Sequence, residues 1–117
     1  MPLAKRIAIR ETMKAYADSW LDWYEGSGLR DLNFRSSVWL TPDDAADVMA
    51  TAVPHGYNEF HADQIRDLPH DCLVQLAREG SVCIYVSRPI IGAGRIHDRA
   101  DEWSVTKDGG ETRIWWN

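Results

Sequence analysis

The chain has 117 residues, 44% of them hydrophobic and 26% charged, with a formal net charge of −5 at pH 7. This length suits one domain with one core, and the composition excludes a wholly disordered chain, so we predict a single domain over residues 1–117. No apolar run is long enough for a signal peptide or a membrane span, and two cysteines are too few for a disulfide framework. We therefore expect a soluble cytoplasmic protein.

The first predicted element is an amphipathic helix over residues 3–25, which the glycines at 26 and 28 end. Large side chains at helical spacing form its predicted apolar face: Ile9, Met13, Tyr16, Trp20 and Trp23. A basic stripe with a spacing of four residues lies off that face: Arg6, Arg10 and Lys14.

A strand and a second helix follow. Residues 32–40 alternate between apolar and polar side chains, which predicts a half-buried strand. Thr41 and Pro42 predict a helix start, because threonine caps free amides and proline suits the first turn. The apolar face of this helix ends at Val53, and a Pro-His-Gly segment at 54–56 stops it.

The next segment contains two further helices in our interpretation. A short helix over residues 59–67 is ambiguous. A firmer helix begins at Pro69 and ends at Gly80, and its predicted inward face contains Cys72, Leu73, Leu76 and Ala77.

The last third of the chain is predicted to form β-strands. Residues 81–88 are rich in β-branched side chains, we assign a further strand to residues 95–97, and residues 103–107 and 111–115 flank a glycine turn. Two registers of this C-terminal β-hairpin stay open: one pairs Trp103 with Ile114, the other pairs Trp103 with Trp115. The predicted fold is α+β, with order α-β-α-α-β-β-β: three to four helices on one face of a mostly antiparallel sheet of three to four strands.

Candidate catalytic groups carry weak signals. His61, His70 and His97 each have an aspartate close by, but recognising an acid-base pair requires a cleft that sequence does not show. His61, His70, Cys72 and Cys83 match no paired zinc-ligand spacing. We predict no cofactor and no metal, and we expect both cysteines to be buried free thiols.

The negative charge is concentrated in the middle of the chain. Residues 41–80 contain two basic and eight acidic side chains, a local charge of −6, which argues against a nucleic-acid binder. Some of these acids occur every four residues, where like charges repel on a helix. The predicted acidic binding residues are Asp43, Asp44, Asp47, Glu59, Asp63, Asp67 and Asp71.

Six tryptophans form the second unusual feature. Trp115 and Trp116 are adjacent in a predicted strand and must point to opposite faces of the sheet. If helices cover one face only, one of the two lies on the bare face, and Trp39 likewise opposes the apolar face of its own strand. We predict Trp39, Trp115 and Trp116 as candidates for an aromatic contact or a homodimer interface.

These features together favour a small acidic binding protein that acts as an inhibitor or adaptor. Its expected partner is a protein with a basic surface, and proteins that bind nucleic acid are one class of such partners. In size and composition, though in no motif, the chain resembles compact acidic phage and mobile-element proteins, including anti-CRISPR inhibitors that mimic nucleic acid. The alternative function is a small enzyme that uses a His/Asp acid-base pair or a metal.

Overall fold

The computed structural model describes residues 2–24, 33–53, 60–90 and 100–116, and for residues 17–24 the backbone alone. The described elements are two α-helices, a 3₁₀ helix and five strands, which confirms the α+β class. In chain order they are α1 (Leu3–Tyr24), β1 (Phe34–Arg35), α2 (Pro42–Ala52), the 3₁₀ helix (Ala62–Asp67), β2 (Val74–Arg78), β3 (Val82–Val86), β4 (Glu102–Val105) and β5 (Thr112–Trp116).

The five strands form one antiparallel sheet in the order β1-β2-β3-β5-β4. Leu76, Ile84 and Ile114 are successive partners across β2, β3 and β5, so they lie on the same face of the sheet. All three are fully buried. This inner face packs against the helices and forms the core, whose largest fully buried side chains include Trp116, Tyr16, Phe60 and Met49.

The apolar face of α1 differs from the predicted one. Small side chains form its buried face, at positions Ala8, Thr12 and Ala15, together with Tyr16. Met13, which we placed on this face, is 47% exposed, and Ile9 is only partly buried. The prediction followed the largest side chains, whereas small residues let the helix lie close to its neighbours. Trp20 and Trp23 fall among the side chains that are not described.

The predicted strand over residues 32–40 is shorter in the structure. Only Phe34 and Arg35 pair continuously with β2, and Leu40 forms an isolated bridge to Val74. Between them the carboxylate of Glu11 accepts hydrogen bonds from the hydroxyls of Ser36 and Ser37, at 2.7 and 2.8 Å. The Ser36 amide still donates to the Leu76 carbonyl of β2 at 2.8 Å, so the continuous pairing ends just after this residue.

Helix α2 confirms the start predicted at Thr41. The Asp44 amide donates to the Thr41 hydroxyl at 3.2 Å, and Pro42 occupies the first turn. Three of the expected apolar side chains of this helix, Ala45, Val48 and Met49, are fully buried, whereas Ala52 is only partly buried. The 3₁₀ helix lies within the range where we left a short helix ambiguous.

The helix predicted from Pro69 to Gly80 is wrong. Residues 74–78 form strand β2 instead, and Gly80, with a φ of 73°, lies in the turn to β3 rather than at a helix end. All five residues of β2 are buried, because the helices cover one face and long side chains cover the other. A strand buried on both faces lacks the alternation that distinguishes it from a helix.

The C-terminal hairpin is confirmed, and its register is the one that pairs Trp103 with Ile114. Its turn contains Gly109 with a φ of 74°, and the Gly109 amide donates to the Thr106 carbonyl at 2.8 Å. The strand assigned to residues 95–97 lies outside the described residues. Among the helices that are described, none combines the length and apolar character needed to cross a membrane.

Candidate acidic binding surface

The acidic residues of the middle segment converge from two elements. Asp43, Asp44 and Asp47 lie in the first two turns of α2, where the helix N-terminus favours negative charge. Asp63 lies in the first turn of the 3₁₀ helix. We call these four residues the acidic surface. The fold brings them together even though about twenty residues separate the two groups in the chain.

Arg66 is the centre of this surface. Its guanidinium contacts Asp43 at 3.2 Å through Nη1, Asp47 at 2.6 Å through Nη2, and Asp63 at 3.3 Å through Nε. Lys5 of α1 approaches from the other side, with Nζ 2.9 Å from Asp47 and 3.4 Å from Asp44. Among the described residues, four carboxylates therefore surround two cations, and these six groups together carry a surplus of two negative charges.

The ion pairs change the acidity of the central groups. Hydrogen bonds from Arg66 and then from Lys5 hold the pKa of Asp47 below its usual value. The same contacts raise the pKa of Lys5 and of Arg66, with the hydrogen bond to Asp47 as the largest cause for each. The Asp47 carboxylate therefore pairs with cations of this chain and contributes to the stability of the fold. Asp43 and Asp63, whose side chains are 60% and 73% exposed, present most of their surface to solvent.

The other predicted acidic residues are not all part of this cluster. Asp71 lies in the turn before β2 and pairs with Arg88 at 2.7 Å, a contact that holds the pKa of Asp71 below its usual value. Asp67 ends the 3₁₀ helix and is partly buried. Glu59 lies outside the described residues.

The three predicted tryptophans do not form a common patch. Trp116 lies on the inner face of the sheet, is fully buried, packs edge-on against Phe60, and donates from Nε1 to Gln64 at 3.1 Å. Trp115 lies on the outer face, half-buried, as its position next to Trp116 requires. Trp39 precedes the bridge at Leu40, at another part of the sheet. Trp116 is therefore a core residue, and its assignment to a surface contact is wrong.

The outer face of the sheet carries a polar network that sequence reasoning missed. Glu79 accepts from Arg113 Nε at 2.8 Å and from the Tyr85 hydroxyl, and its backbone carbonyl accepts from Trp115 Nε1 at 2.8 Å. The guanidinium of Arg35 lies 3.7 Å from the Tyr85 ring centre. These long side chains cover the small residues of the central strands and explain why the outer face is partly buried.

The network shifts the pKa values of three side chains. Burial raises the pKa of Glu79, but hydrogen bonds from Tyr85 and Arg113 outweigh it and leave that pKa below its usual value. Burial, followed by the bond to Glu79, raises the pKa of Tyr85 to about 12. Burial and the nearby Glu79 charge raise the pKa of Cys83 to about 12. Cys72 and Cys83 are both free and buried, as predicted.

Two of the candidate catalytic histidines, His61 and His70, lie in the described part of the chain, and both are exposed. Asp63 and Asp71, the acids near them in sequence, each accept a hydrogen bond from an arginine, at 3.3 and 2.7 Å. His97 lies outside the described residues.

Sequence reasoning found the acids of the acidic surface but not the cations between them. The spacing of Asp63 and Arg66, three residues apart in a helical segment, was the available signal for one contact. Nothing local signals Lys5, which is 42 residues from Asp47. Within the described ranges, no group of three or more His, Cys, Asp or Glu is arranged to hold a metal ion. No protein-family model matches the chain, and the searches of curated proteins and of solved structures found no match.

Proposed function

We propose that this protein is a non-catalytic binding protein of the cytoplasm whose acidic surface binds a protein partner through a basic site. The observation that carries the proposal is the arrangement of Asp43, Asp44, Asp47 and Asp63 around Arg66 and Lys5. The surplus negative charge is held on two packed helices, and the outermost carboxylates are exposed. A preorganised array of this kind suits lysine and arginine side chains, because its acceptors need little reordering on binding.

The chemistry predicts both strength and salt dependence. An ionised carboxylate has about four acceptor positions, so one that already pairs with a cation can accept further hydrogen bonds from arginine or lysine. The field of two surplus charges steers a basic partner over roughly 8 Å at physiological salt and weakens as salt increases. Partners whose basic site otherwise holds nucleic acid meet these requirements, so inhibition of a nucleic-acid-binding protein is the form of the function that we favour.

The test must neutralise the exposed acids without dismantling the fold. Reversal of Asp47 to lysine would place a third cation beside Lys5 and Arg66, so a loss of binding could follow from a loss of structure. The double variant Asp43→Asn, Asp63→Asn removes two exposed carboxylates and leaves Asp47 in place. We expect it to cost less than about 1 kcal/mol of stability, as exposed ion pairs usually contribute little.

The matched control is Glu102→Gln, Glu111→Gln. It makes the same change in net charge, and each glutamate likewise loses a pairing arginine, Arg113 or Arg35. The probe is a synthetic arginine- and lysine-rich peptide, whose affinity is measured by calorimetry from about 50 to 500 mM NaCl. We expect the acidic-surface variant to lose tenfold or more in affinity at low salt and the control to lose much less. Equal losses in both variants, or an affinity that salt does not change, would reject the proposal.

Self-association through the tryptophans stays a separate prediction, now reduced to Trp39 and Trp115 because Trp116 is buried. Light scattering over a range of protein concentrations tests it. A dimer that Trp115→Ala dissociates would support the outer face as its interface, and a monomer at all concentrations would reject it.

A further inference from the structure

Arg78 is a charged side chain in an apolar position. It is the last residue of β2, it lies on the inner face of the sheet after Val74 and Leu76, and it is only 4% exposed. Phe34 and Val82 are its partners on the neighbouring strands. An aliphatic residue here would continue the apolar pattern of the strand, so packing does not account for the arginine.

Two of the three guanidinium nitrogens of Arg78 lack a hydrogen-bond partner in the described part of the chain. Neither Nε nor Nη1 has a hydrogen-bond partner there, although both atoms are buried. The contact that is present is with Tyr16, whose ring centre lies 5.8 Å from Cζ, near the outer limit of a cation–π interaction. The Tyr16 hydroxyl donates to the Ala77 carbonyl at 2.9 Å, which holds the ring in place beside the arginine.

Several other arginines of the structure pair with a carboxylate. A carboxylate pairs with each of four arginines at 3.3 Å or less: Arg35, Arg66, Arg88 and Arg113. These four are more exposed than Arg78. Arg78 is thus more buried than these four arginines and yet pairs with no carboxylate of the described residues, which reverses the usual rule that buried charges are paired.

We propose that Arg78 binds a small oxyanion, a phosphate or carboxylate group of a ligand, which accepts hydrogen bonds from its unpaired N–H groups. Arginine stays protonated in proteins, so it cannot relieve its burial by losing its charge. An anion supplies both the missing charge and the missing acceptors, and charge-assisted bonds of this kind strengthen when water is excluded. The Tyr16 ring lies on one side of the guanidinium and accepts no hydrogen bond from Nε or Nη1.

This site is separate from the acidic surface and does not depend on the proposed function. Arg78 lies at the end of β2 beside Tyr16, whereas the acidic surface is formed by α2 and the 3₁₀ helix around Arg66. The two can therefore be tested independently, and failure of one leaves the other unaffected.

The test is thermal unfolding in Tris chloride to which sodium phosphate, sodium sulfate or sodium acetate is added at constant ionic strength and pH 7. Ligands that bind only the folded state raise the melting temperature, by about 5 °C at ten times the Kd for a domain of this size. We expect a saturable rise for the parent protein. A response to phosphate and sulfate alone identifies a tetrahedral oxyanion, and a response to acetate identifies a carboxylate.

Two variants locate the effect. Arg78→Met should abolish the rise, whereas Arg10→Met, the same substitution at an exposed arginine of α1, should retain it. If Arg78→Met does not fold, calorimetric titration of the parent with phosphate, and of Arg78→Lys in parallel, gives the same comparison. The proposal is overturned if the parent responds to no anion up to 100-fold excess over protein, or if Arg78→Met responds as strongly as the parent. In that case the arginine is balanced from within the chain.

Discussion

Glu79→Gln tests whether the polar network on the outer face of the sheet stabilises the fold. The substitution keeps the shape of the side chain but removes the charge that pairs with Arg113, and it weakens the acceptor for Tyr85. The side chains of Glu79 and Arg113 are only 32% and 22% exposed, so solvent screens this pair less than a surface pair. Hydrogen bonds to charged groups contribute about 1.5–3 kcal/mol, and glutamine retains part of that.

We therefore expect Glu79→Gln to lower the free energy of unfolding by about 2 kcal/mol and the melting temperature by about 8 °C at pH 7. Circular dichroism on heating measures both. The matched control is Glu102→Gln, which removes the other carboxylate from Arg113 but at a side chain that is 56% exposed. It should cost no more than about 0.5 kcal/mol.

The effect should also depend on pH. Because the folded pKa of Glu79 lies below that of an unfolded glutamate, its stabilisation is complete above about pH 4.3 and is lost as the pH falls through the folded value. Parent and Glu79→Gln should therefore converge in stability only when the pH falls below the lowered pKa of folded Glu79. Equal stability at pH 7, or a difference that stays constant down to the lowest pH at which both fold, would refute this account of the network.

Three further predictions follow from buried or strained groups. Thr12→Val should raise the free energy of unfolding by about 1 kcal/mol, because the Thr12 hydroxyl is buried without a hydrogen-bond partner among the described residues. A denaturant titration measures this change, and a loss of stability would contradict the prediction. Cys72 and Cys83 should resist iodoacetamide at pH 8 in the native protein and react in urea, since burial raises the pKa of both thiols. Mass spectrometry measures the labelling, and rapid labelling of the native protein would contradict the burial of the two thiols. Gly109→Ala should lower the free energy of unfolding by about 1 kcal/mol, because the backbone φ at this position is positive. Gly110→Ala should leave stability unchanged, because an added Cβ there makes only ordinary contacts. Equal effects of the two substitutions in thermal unfolding would show that the backbone of this turn is not strained.

Sequence patterns predicted the parts of the fold that local chemistry determines. Thr41 and Pro42 specify the start of α2 because a cap and a first-turn proline act within one helical turn. The glycine turn between β4 and β5 likewise identifies a hairpin from a few adjacent residues. Such signals need no knowledge of the rest of the structure.

Features that depend on distant residues were not predictable in the same way. Val74–Arg78 became a strand because β1 and β3 pair with it on either side, and its local pattern is equally suited to a helix. The acids of α2 looked like an unbalanced charge run because their cations come from Arg66 and from Lys5, distant in the chain. The position of Arg78 inside the fold could not be inferred either, since its burial follows from the placement of α1 over the sheet.

The order of strands also constrains when the protein can fold. The last strand in the chain, β5, lies between β3 and β4, and it contributes Ile114 and Trp116 to the core. Until Trp116 has left the ribosome, β3 has no partner on that side and exposes an apolar edge. The sheet therefore cannot be completed before β5 has emerged, and a nascent chain that stalls before residue 112 presents an edge prone to aggregation. Early protection of that edge by a chaperone would matter more for this protein than for one whose central strands are made first.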